Sequence, residues 1–161
     1  MARVYQVPQH AFVWLVSAVL LAALPHVFGG PLWLGVLVGG ALIWRVLVQR
    51  GRVGLPGRLL RLLLLAGAAG ATLYSYGTVL GPQAGVCLLV AAFGLKLLEM
   101  VRLRDAYVVI VLAYFVLATV FLGDRGIIAT LYVMAVLLVV TAALVGINHA
   151  ETGVRARGHL V

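Results

Sequence analysis

Acidic side chains are almost absent: four Asp and Glu stand among 161 residues, beside twelve Lys and Arg. Charged residues make up 10% of the chain, where a soluble domain carries roughly 25%. Charge is missing altogether from 4–44, 62–95, 106–123 and 126–150. No water-facing surface can be assembled from such stretches, which excludes a soluble enzyme or binding module. The single cysteine, Cys87, excludes an internal disulfide. The four histidines, His10, His26, His149 and His159, show no i, i+4 pairing and no Cys, Asp or Glu at ligand spacing, so no metal site is expected. Neither a glycine-rich phosphate loop nor a GxSxG nucleophile turn occurs, and no cofactor is expected.

What is there in their place is apolar length, 65% of the chain. A transmembrane helix needs about 20 mostly apolar residues, and each charge-free stretch supplies one or two such lengths. Barrel strands would alternate apolar and polar residues; these runs are continuous and rich in Leu, Ala and Val. Backbone groups in lipid must be satisfied within the segment, so the runs become helices. The fold class is all-α, a polytopic helical membrane bundle of about six helices with short loops.

Gly and Pro set the boundaries. HVFGGP splits the first run, RGRVGLPGR forms a polar loop, and Gly81-Pro82, the charged RLRD and GDRG punctuate the rest. One transmembrane domain, 1–161, is expected, with helices near 11–28, 32–48, 59–80, 84–101, 106–122 and 127–147. The first apolar run lacks a good cleavage pattern and reads as a retained helix. A polar, basic tail over 148–161 is expected to lead into a further segment.

The net charge of +8 does not point to nucleic acid, because the basic residues sit at helix ends. Six crossings starting from the cytoplasm place eleven of them inside: Arg3, Arg45, Arg50, Arg52, Arg58 and Arg61, then Lys96, Arg102, Arg104, Arg155 and Arg157. Arg125 alone falls outside. That bias predicts a cytoplasmic N-terminus in the bacterial inner membrane. Trp33, Trp44, Tyr74 and Tyr76 fall near the expected interfaces, and His26 is expected to cap the first helix.

The stretch FGLKLLEMVRLRDAY holds Lys96, Glu99, Arg102, Arg104 and Asp105 within ten positions. Spacing of three places Lys96 with Glu99, Glu99 with Arg102, and Arg102 with Asp105 on shared helix faces. Lys96 lies five residues from Val101, roughly 8 Å at 1.5 Å per residue, within snorkelling reach of the headgroups. Three readings compete: charges that fix the loop inside, a structural ionic cluster tying the fourth and fifth helices, and a relay or transport site. Arg50, Arg52, Arg58 and Arg61 form a basic loop able to meet anionic lipid. Gly35-x-x-x-Gly39 and AGAAGA over 66–71 allow close helix approach. Cys87 lies in an apolar run without a neighbouring base.

Taken in order, Trp14, LPH (24–26), PLW (31–33), WR (44–45), SYGT (75–78) with Gly81 and AG (84–85), LKLLE (95–99), RDAY (104–107), YF (114–115) and Asn148 give the chain a family likeness. It resembles the N-terminal membrane domain of the bacterial TgpA-type transglutaminase-like proteins, through nearly its whole length. The resemblance implies a further helix, a covalently linked periplasmic domain of transglutaminase fold with a Cys-His-Asp triad, and a last helix. Cys87 does not match that nucleophile, no catalytic residue carries over, and a chain ending at Val161 reads as a fragment or truncated product. The function expected is a membrane-anchoring scaffold without catalytic activity of its own. The alternative is a stand-alone small transporter or channel using Lys96, Glu99 and Asp105. An intramembrane enzyme would need a nucleophile, acid–base pair or metal set that these residues do not supply.

Overall fold

The computed structural model describes residues 9–78, 80–100, 103–123 and 126–158. They form six helices: α1 (Gln9–Gly29), α2 (Leu32–Gln49), α3 (Arg58–Tyr76), α4 (Pro82–Glu99), α5 (Leu103–Gly123) and α6 (Ile127–Gly158). Each holds a stretch long and apolar enough to cross a membrane. The chain is a polytopic helical membrane bundle.

The turns follow from their residues. Gly77 ends α3 at φ +68, with its N–H on the Leu73 carbonyl at 2.8 Å. That left-handed cap suits glycine, and it closes the helix four residues before the Gly81-Pro82 punctuation. Pro31 caps α2 in extended conformation and accepts from the Leu34 N–H at 3.0 Å. At the other extreme α6 runs on past the apolar stretch and through the polar tail to Gly158. No proline interrupts 127–158, and backbone propagation carries the helix beyond the membrane-length stretch.

Helices α1 and α4 share the centre: α4 packs against α1, α2, α3 and α5, α1 also packs against α2, α5 and α6, and α6 lies against α1 and α5. Buried residues on α6 fall at Ala129, Val133, Val136, Val140, Ala143 and Ile147. These alternating steps of four and three make the narrow seam of a left-handed bundle. Helix α3 is peripheral: it packs mainly on α4 and buries only Ala68 and Thr72. Leu59, Leu62 and Leu63 on α3 stay more than half exposed, which hydrocarbon tolerates and water would not.

The expected glycine contacts are redistributed. A Cβ at Gly35 would come within 2.9 Å of Val27, but one at Gly39, Gly67 or Gly70 would meet nothing within 4 Å. The tightest approach to a neighbouring helix backbone falls instead at Gly94 on α4. There a methyl would lie 3.4 Å from Leu37 and Val38 side chains and 3.5 Å from the Val38 Cα.

Candidate functional site

Because consecutive helices alternate in direction, the bundle has two distinct ends. One carries Arg58, Lys96 and Glu99; the other carries Gly29, Tyr76, Pro82 and Gly123. Polar side chains gather at both.

At the basic end Glu99, the last residue of α4, joins two cations. Its Oε1 lies 3.2 Å from Arg61 Nη1 on α3, and its Oε2 lies 3.1 Å from Lys96 Nζ on α4 itself. The tie therefore runs from α4 to α3, and Arg61 is a partner that i, i+3 spacing along one helix could not reveal. Arg104 and Asp105 meet at 3.9 Å on the first turn of α5, with Arg104 75% exposed. Arg102 lies outside the described residues, as do Arg3 and Arg125. The Lys96–Glu99 pair occupies the last turn of α4. Arg58, Arg61, Lys96 and Glu99 line a groove of about 480 Å³ whose remaining wall is apolar.

Arg45 sits deeper at this end, one turn before α2 closes. Only 1% of it is exposed, its guanidinium carbon lies 5.9 Å over the Phe12 ring, and none of its three side-chain nitrogens has a hydrogen-bond partner among the described residues. The basic loop is also anchored, since the Trp44 indole N–H donates to the Gly54 carbonyl at 3.2 Å.

At the opposite end the helices surround an open cavity of about 910 Å³, lined by residues of all six. Pro25 explains one wall. A proline at position 25 cannot donate to the carbonyl four residues back, and the Tyr132 hydroxyl donates to that Leu21 carbonyl at 2.6 Å. A neighbouring helix thus supplies the bond the proline removes. His26, on the same turn, does not cap α1: its Nε2 lies 2.9 Å from Thr119 Oγ1, which also donates to the Val116 carbonyl at 2.6 Å. The Trp33 indole donates to Ser75 Oγ at 3.1 Å, fastening α2 to α3 at the rim. Cys87 is buried at the cavity wall and carries a free thiol. His26 lines the same cavity, but no hydrogen bond joins the two side chains. Among the described residues no group of three His, Cys, Asp or Glu converges as a metal site would require.

The resemblance residues now have places. LPH supplies Pro25 and His26, PLW supplies the α2 cap and Trp33, SYGT supplies Ser75 and the Gly77 cap, and LKLLE supplies Lys96 and Glu99. The TgpA N-terminal domain family matches residues 14–160. The chain belongs to that family. This TgpA N-terminal domain is also similar to the protein-glutamine gamma-glutamyltransferase of Pseudomonas aeruginosa, 39% identical over 144 residues. The match takes in 89% of the chain but only 22% of that relative's length. No solved structure matches the domain.

Proposed function

We propose that this TgpA N-terminal domain is the membrane-anchoring scaffold of a transglutaminase-like protein of the bacterial inner membrane. Its basic end faces the cytoplasm, and its cavity end faces the compartment in which a linked catalytic domain works. Acyl-transfer chemistry belongs to that domain and not to the bundle. The observation that carries this reading is the match itself: 89% of the chain aligns with 22% of a protein-glutamine gamma-glutamyltransferase. The reading is compatible with Cys87, the one thiol, lying buried in the helical bundle, where a nucleophilic cysteine would need an activating base beside it. The excess of Arg and Lys at one end supports the orientation.

Two measurements test it. An alkaline phosphatase reporter inserted within 123–126 should be active and one inserted after Gly51 inactive. Purified chain should show no glutamine–amine acyl transfer, while the full-length family protein does. Transfer by the chain alone, or the reverse reporter pattern, would overturn the reading.

A further inference from the structure

The groove between α3 and α4 has a chemistry that the ion pairs do not exhaust. Arg58, Arg61 and Lys96 bring three cations to one mouth, and Glu99 is the single carboxylate there. Among the described residues, Arg61 and Lys96 share that carboxylate, Arg58 is left outside the pairing, and Arg61 Nε is buried without a hydrogen-bond partner. An anion with several acceptor oxygens fits this unfilled donor set, as a phosphate would. Below the mouth the walls turn apolar at Leu62, Leu65 and Leu95. Leu65 lies seven residues from Arg58, roughly 10 Å deeper along α3 at 1.5 Å per residue. Leu62 is 63% exposed and Leu65 48%, so the groove opens sideways toward lipid.

We propose that this groove binds an anionic phospholipid, its phosphate held by Arg58, Arg61 and Lys96 and one acyl chain laid along the leucines below. A free phosphate would use the mouth and leave the apolar slot empty; a zwitterionic lipid would use the slot and leave an excess of positive charge. The anionic phospholipid satisfies both. Arg50 and Arg52, which belong to the same basic loop, lie outside the groove lining and take no part. The inference does not depend on the anchoring role, because phospholipid headgroups meet either end of a spanning bundle.

The test measures binding of phosphatidylglycerol and phosphatidylcholine to the delipidated full chain by native mass spectrometry and by thermal shift in neutral detergent. Wild type should retain phosphatidylglycerol in preference to phosphatidylcholine. R58Q/K96Q should weaken that binding by roughly tenfold or more, whereas R50Q/R52Q, with the same loss of charge, should leave it unchanged. R58K/K96R should retain the preference, which separates lost charge from misfolding. Equal binding of the two lipids by wild type would overturn the proposal. So would an equal loss in R50Q/R52Q, which would mean a diffuse basic surface, or displacement of the lipid by millimolar inorganic phosphate, which would mean a free-anion site.

Discussion

Tyr132→Phe is the sharpest probe of how the bundle is tied. The substitution keeps the ring and removes one hydroxyl, which donates at 2.6 Å to the carbonyl that Pro25 leaves without its helical donor. A buried acceptor stripped of its partner costs about 1–3 kcal/mol in water-soluble proteins, but interhelical bonds inside membranes average about 0.6 and reach about 1.7. A loss of about 1 kcal/mol is therefore expected, a factor of roughly five in the unfolding constant by the same figure. The discriminating step is the second background. Pro25→Ala returns a backbone N–H to position 25, and that N–H can reach the Leu21 carbonyl by the ordinary i→i−4 bond. In that background Tyr132→Phe should cost close to nothing, giving a coupling of about 1 kcal/mol in the double-mutant cycle. Reversible unfolding in mixed micelles, or steric trapping in bicelles, measures all four corners. Equal cost of Tyr132→Phe in both backgrounds would refute the reasoning, because the hydroxyl would then not be replacing the proline's missing donor.

Glu99→Lys should lower the melting temperature in detergent, and adding Lys96→Glu should recover part of the loss; no recovery would remove the pairing. The effect should be modest, since these side chains are 25–41% exposed and such pairs contribute about 0–1 kcal/mol. Arg45→Met should leave stability unchanged or raise it, because the buried guanidinium lies over the Phe12 ring and has no hydrogen-bond partner among the described residues, and apolar replacement of buried charge is often neutral or favourable. A drop of several degrees on thermal unfolding would show instead that Arg45 has a counter-ion. Gly94→Val should destabilise by about 1–3 kcal/mol through overpacking against Val38. Gly67→Val should not, and comparable losses in the two would contradict the assigned interfaces.

The six spans were legible because lipid demands an unbroken apolar length, and Gly–Pro pairs stand out against it. The faces of the helices were not legible in the same way. In water, polarity separates inside from outside; here both the bundle interior and the lipid are apolar, so the hydrophobic pattern carries little contrast. The contrast that does exist is one of size and shape. Ala18, Ala22, Ala91, Ala106, Ala113 and Ala143 are buried, while Phe28, Leu32, Leu80, Ile128 and Leu138 are exposed. Small residues admit close backbone approach, which is what holds membrane helices together. Even so, a small-residue motif does not say which face it serves: the glycines of AGAAGA look away from α4, and the contact is made by Ala68 and Thr72.

The candidate sites escaped sequence reading for a related reason. Spacing rules see along one helix, so Lys96 with Glu99 was visible and Arg61 with Glu99, 38 positions apart, was not. The same holds for His26 with Thr119 and Tyr132 with Leu21, separated by 93 and 111 positions. A usable signal was nevertheless present in the proline. Pro25 inside a spanning helix leaves a carbonyl without its donor, and in a medium without water some other group must supply one. That requirement points to a hydroxyl, indole or amide at matching depth on a neighbouring helix. Tyr132, five residues into α6 at the same end of the bundle, meets the condition. A proline in a membrane helix can thus be read as a search for a donor, and each donor found fixes which two helices touch and at what height.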